Sequence, residues 1–150
     1  MKQLNRRGVL AGGVATAFVT LLPNRVLATL PDMQAAIIET FGDGTLQQGR
    51  ISLHMPPIAE NGYSVPLAIE VDSPMTEADH VRRIAVFSPE NPLANIVRFD
   101  LGPRAGRANV ATRIRLARTQ EITVVAEMND GARYAAVAEI IVTIGACVLE

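Results

Sequence analysis

The sequence predicts an all-β fold: an immunoglobulin-like antiparallel β-sandwich with a short N-terminal helix. Apolar and polar residues alternate with a period of two through most of residues 65–144, and turn-forming residues recur between those stretches. A single segment, just after residue 29, carries helical spacing instead. Six or seven short strands after one helix fit a two-sheet sandwich. The Cys and Trp signature of antibody domains is absent, since the chain has no Trp and one Cys.

The first 28 residues read as an export signal. Asn5-Arg6-Arg7-Gly8-Val9-Leu10 has the twin-arginine pattern, an apolar Gly/Ala-rich run follows, and Val26-Leu27-Ala28 offers a cleavage site. The run is broken by glycines and stops at Pro23, too short to favour an uncleaved membrane anchor. The expected organisation is a twin-arginine signal over 1–28, one domain over 29–144, and a tail over 145–150. A periplasmic protein, free of the membrane once the signal is cleaved, is the expectation.

Of the 14 basic residues, Lys2, Arg6, Arg7 and Arg25 lie in that signal and none of the 15 acids does. The rest of the chain therefore carries 10 basic against 15 acidic residues and no lysine. Such a balance argues against nucleic acid as a partner, because phosphate contacts demand an excess of cations. A chain of this length buries a core without disulfides, and with one cysteine it can form none internally.

Pro31-Asp32 opens the helix, Met33, Ile37 and Phe41 fall on one side of it, and Gly42-Asp43-Gly44 ends it. Val65, Leu67, Ile69 and Val71 then alternate with Pro66, Ala68, Glu70 and Asp72, as in a strand covered on one face. Ile84 and Val86 continue the pattern, followed by Val97, Phe99 and Leu101, and by Ile114 and Leu116 between Arg113 and Arg115. Residues 121–128 and 132–144 flank Asn129-Asp130-Gly131, which predicts a tight hairpin. Asn61-Gly62, Asp72-Ser73-Pro74, Ser88-Pro89, Asn91-Pro92 and Gly102-Pro103 supply the other turns. The last strand is apolar on both faces (Ala135, Val137 and Ile141 opposite Tyr134, Ala136, Ala138, Ile140 and Val142). That calls for burial in a covered sheet or for a partner protein.

The single cysteine, Cys147, has no partner in its own chain. In an exported protein this points to an intermolecular bond or a reactive thiol, and a third reading makes it a small apolar core residue. The nucleophile is the thiolate, a few per cent of an unperturbed cysteine at neutral pH, and no neighbouring residue in sequence promotes it. Cys147 thus has the equipment of an attachment point rather than of a self-activated nucleophile.

Other candidate groups are weaker. His54 and His80 lack metal-ligand spacing, and Met33, Met55, Met75 and Met128 are dispersed, so neither a metal nor a cofactor is expected. Arg104, Arg107, Arg113, Arg115 and Arg118 could attract an anion, but alternation of this kind is more often the solvated face of a strand. No nucleophile–base–acid constellation is visible, and no catalytic residue is assigned.

Taken together, the chain resembles the SoxY family, the sulfur-carrying subunit of thiosulfate oxidation. The resemblance rests on Ile58-Ala59-Glu60-Asn61-Gly62 before Val65-Pro66, on Val71-Asp72-Ser73-Pro74-Met75-Thr76, and on Ser88-Pro89-Glu90-Asn91-Pro92-Leu93. Thr112-Arg113-Ile114-Arg115-Leu116-Ala117 and a last strand running into the tail cysteine complete it. The resemblance implies an Ig-like fold, a heterodimer with a SoxZ-like subunit, and a non-enzymatic carrier. Its Cys147 would bind thiosulfate-derived sulfur covalently, on a flexible tail of Gly145 and Ala146, for the sulfur-oxidising Sox enzymes to act on. The family's glycine-flanked tail is reduced here to Gly145, with Ala146 before the cysteine and Val148-Leu149-Glu150 after it. The contrasting expectation is a structural module whose cysteine cross-links chains.

Overall fold

A computed structural model describes residues 27–145, in the order α1 (Leu30–Phe41), β1 (Gln47–Gln48), β2 (Ile51–His54), β3 (Ile58–Ala59), β4 (Val65–Val71), β5 (Val81–Phe87), β6 (Asn95–Asp100), β7 (Ala108–Ile114), β8 (Gln120–Met128) and β9 (Arg133–Val142). The expected export signal, apart from Leu27 and Ala28, and the tail from Ala146 onward lie outside the described residues. No helix among the described residues is long and apolar enough to cross a membrane.

Two sheets face each other. The larger runs β1-β9-β8-β5-β6, with β3 also on β9, and the smaller runs β2-β4-β7. Pairing is antiparallel except for β1 and β3, which lie parallel to the outer edge of β9. The alternation read from β4 becomes its burial pattern: Val65, Leu67, Ile69 and Val71 are buried and Pro66 and Glu70 exposed. Those four side chains meet Ile84, Val86, Ile122, Val124 and Ile140 of the larger sheet in one apolar cluster. Removing that area from water is the main stabilising term of the fold.

The helix covers part of the larger sheet's outer face. Thr29 caps it and, with Asp32, closes a capping box: the Thr29 N–H donates to Asp32 Oδ2 at 2.8 Å. These hydrogen bonds hold the Asp32 carboxyl below its ordinary value. Gly42 ends the helix at φ +79°, where a side chain would be strained, and its N–H donates to the Ile38 carbonyl. Met33 and Phe41 pack on Ala85, Phe87 and Val125, with the Phe41 and Phe87 rings edge-on at 6.2 Å. Arg133 of β9 fastens the helix end, its Nη1 donating to the carbonyls of Gly42 (3.0 Å) and Asp43 (3.1 Å).

Several boundaries differ from the sequence reading. The final hairpin closes through residues 129–131 as read, but with positive φ at Gly131 alone (+88°) and not at Asp130. β7 starts at Ala108 and ends at Ile114, so Leu116 lies past the strand, yet it is buried in the main apolar cluster. β1, β2 and β3 were not anticipated. Two of them are two-residue bridges, too short to show a period.

Candidate functional site

β9 carries the chain to the tail, and the body holds its end through a short ladder. The Ile141 N–H donates to the Pro57 carbonyl (3.0 Å) and the Thr143 N–H to the Ala59 carbonyl (3.0 Å). The Ile144 carbonyl accepts from the Gly62 N–H (2.7 Å). Gly62 is buried, and its own carbonyl accepts from the Leu116 N–H at 2.9 Å. Asn61 Oδ1 takes the Tyr63 N–H in an Asx turn that shapes this corner. The tail therefore leaves from a fixed point beside the 115–117 segment. Ile144 itself is 60% exposed there.

The segment opposite is locked by a buried polar network. Asn91 Oδ1 accepts from the Ala117 N–H (3.0 Å) and from Gln120 Nε2 (3.3 Å), while Asn91 Nδ2 donates to the Arg115 carbonyl (2.8 Å). Ser88 Oγ donates to Gln120 Oε1, and the Ser88 hydroxyl oxygen also receives the Asn91 N–H. Ser88, Asn91 and Gln120 are all buried. Asn91 thus holds the loop that meets Gly62, and Gly62 holds Ile144. The Ser88-Pro89 and Asn91-Pro92 turns were legible in the sequence; their inward-facing polar side chains were not.

Cys147 and Ala146 lie outside the described residues, so the predicted attachment point is known here by its anchor. Gly145 is half-buried. Cys147 follows Ile144 by three residues, a reach of about 10 Å when extended.

The five arginines of residues 104–118 are not one patch. Arg118 pairs with Glu90 (3.5 Å), Arg104 sits in an exposed 3-10 turn (Pro103–Ala105), and Arg107 lies beside Asp72 in a separate pocket. Only Arg113 and Arg115 share a groove, of about 430 Å³ between the edges of β6 and β7, with Asn91, Leu93, Ile96 and Val97. Arg113 Nη1 donates to the Ser64 carbonyl and hydroxyl at 3.4 and 3.3 Å. Elsewhere, Arg83 donates to Asp100 at 2.7 Å, which, with Arg98 nearby, holds the Asp100 carboxyl below its ordinary value.

Among the described residues no group of three His, Cys, Asp or Glu side chains is placed to hold a metal. His80 Nδ1 sits 3.0 Å from the Thr76 carbonyl in a turn, and His54 is exposed on β2.

A family model described as "Sulfur oxidation protein SoxY" matches residues 37–147, its last matched position being Cys147. Among solved structures, the sulfur carrier protein SoxY from Chlorobium limicola f thiosulfatophilum is similar, at 33% identity and a TM-score of 0.64. The match covers 76% of this chain and 98% of that one. A superoxide reductase (neelaredoxin) from Ignicoccus hospitalis is similar at 17% identity and a TM-score of 0.56, over 77% of this chain and 94% of that one. That similarity concerns the fold alone. No curated protein matches the chain by sequence.

Proposed function

This chain belongs to the SoxY family of sulfur oxidation proteins, and from that premise we propose that it is a periplasmic sulfur carrier whose attachment point is Cys147. One observation carries the reading: the family match extends to the chain's single thiol, and a sulfur carrier is matched over nearly its whole length. The fixed root at Ile144, followed by a three-residue reach, suits a group that is presented to other proteins.

The chemistry requires little of this chain. The Cys147 thiolate and the outer sulfur of thiosulfate join as Cys–S–S–SO₃⁻, and the two electrons released pass to an oxidising enzyme that receives the tail. That enzyme also supplies the activation absent around the cysteine. The chain contributes the thiol, its reach and its release, and is not itself an enzyme. Residues 1–28 serve as the twin-arginine signal, and a SoxZ-like subunit forms the heterodimer.

Replacing Cys147 by Ser tests the reading. Loss of thiosulfate-dependent respiration, with the heterodimer still assembled, supports the carrier. Loss of assembly with respiration retained would identify the cysteine as a cross-link instead.

A further inference from the structure

The helix covers only half of the larger sheet's outer face. Along β8 and β9 this face is built of directly opposed pairs: Glu127 with Arg133, Val125 with Ala135, Thr123 with Val137, and Glu121 with Glu139. The first two pairs lie at the helix end of the sheet, where Arg133 binds the carbonyls after α1 and Val125 and Ala135 pack under it. Beyond them Thr123 is still buried, but its neighbours on β9 are exposed. Val137 is 57% exposed and Ile141 48%. Ile58, beside Ile141 in the parallel register of β3, is 57% exposed.

In the middle of this apolar surface stand two carboxylates, Glu121 and Glu139, both exposed and directly across the strands from each other. Opposed like charges destabilise a sheet. Neither carboxylate forms an ion pair among the described residues, whereas Glu127, three rungs away on this face, has Arg133. The edge beside them also has a gap in its hydrogen-bonded pairing. β1 ends opposite Ala135 and β3 begins opposite Ile141. The Ile141 and Thr143 N–H groups point to that edge, so by the alternation of a strand the backbone groups of Val137 and Glu139 do too, between the β1 and β3 bridges and without a ladder partner, although β2 passes close to β9.

The geometry points to this half-face (Ile58, Glu121, Val137, Glu139 and Ile141) as the docking surface for a different protein subunit, one presenting a lysine or arginine between apolar side chains. A cation seated between Glu121 and Glu139 relieves their repulsion while its apolar flanks cover Val137, Ile141 and Ile58. A second copy of this chain does not fit the requirement. A two-fold contact through this face would bring the same carboxylates together from both sides. The surface adjoins the tail root, since Ile141 is three residues before Ile144, so the bound subunit would border the region from which Cys147 is presented. The inference rests on the partner reading above and adds the surface and its chemistry.

The test uses the full chain and a SoxZ-like subunit from the same organism, with affinity measured by calorimetry at two salt concentrations. Val137→Asp and Glu139→Lys should each weaken binding about tenfold or more, and Glu70→Lys, on the exposed face of the smaller sheet, should leave it unchanged. Glu139→Gln should raise the free chain's melting temperature, because it removes the opposed charge, while weakening binding and flattening its salt dependence. That opposite movement marks a residue serving a partner rather than the fold, and it does not depend on a variant that fails to fold. Undiminished binding by Val137→Asp and Glu139→Lys would overturn the docking surface and leave the heterodimer reading intact. No binding by the unaltered chain would overturn both, and self-association through this face would overturn the choice of a different subunit.

Discussion

Replacing Asn91 by alanine is expected to destabilise the domain by about 3 kcal/mol, far more than a turn residue usually costs. The side chain is buried and its amide satisfies three groups: the Ala117 N–H, the Gln120 amide and the Arg115 carbonyl. Gln120 Nε2 keeps a second acceptor in the Arg118 carbonyl (3.2 Å), so its loss is partial. Ala117 is 3% exposed and its N–H is left unsatisfied, at about 1–3 kcal/mol; the Arg115 carbonyl, on an exposed residue, adds roughly 1 kcal/mol. In a domain of this size the sum lowers the melting temperature by about 10 °C or more. Urea denaturation should show a lower midpoint with an unchanged slope. The Asn91→Ala, Gln120→Ala double variant should lose less than the two single losses combined, because the residues share one network. A loss below about 1 kcal/mol, or strict additivity, would refute the claim that this amide holds the loop against the tail root.

Further outcomes follow from other contacts. Arg133→Ala should cost about 1–2 kcal/mol by thermal denaturation, since it frees the carbonyls of Gly42 and Asp43 and leaves half-buried Glu127 without its cation. The Asp100 carboxyl is depressed by Arg83, so its stabilising contribution is present above the ordinary value of 3.8 and fades as pH falls through and below it. Stability followed from pH 6 to 2.5 should fall less steeply in Asp100→Asn; identical acid limbs would contradict the pairing. Deleting residues 148–150 should leave the melting temperature nearly unchanged, because the contacts that fix the chain end are already made at Ile141, Thr143 and Ile144. A shift of many degrees would show the tail to be part of the packed body.

The parts of the fold legible in the sequence are those with one wet and one dry face. β4 alternates cleanly because it is backed by the core and open outward, and α1 shows its stripe because Met33 and Phe41 meet a sheet. β2 carried the same signal in Ile51 and Leu53, but over four residues beside two turns it was too brief to stand out. β1 and β3 exist only through parallel contacts with β9, a long-range fact that local pattern does not encode. The double-sided apolar character of β9 was legible, and the structure resolves it into two causes. Ala135 lies under the helix, while Val137 and Ile141 remain bare. At the candidate site, Cys147 stood out by chemistry alone. Its anchoring through Gly62 and Asn91 was hidden, because Asn-Gly and Asn-Pro read as surface turns whichever way their side chains face. The arginine run, read mainly as a solvated face, is dispersed by the turn at 103–105 and the end of β7, which spacing alone does not reveal.

The central claim is covalent sulfur on one thiol. Intact-mass measurement of the protein isolated from thiosulfate-grown cells, with and without reductant, addresses it directly. The account predicts reductant-labile additions of the size of sulfur, sulfite or thiosulfate, mapped to the peptide that contains Cys147 and absent in Cys147→Ser. A bare thiol under thiosulfate feeding, or a disulfide-linked dimer alone, would contradict it.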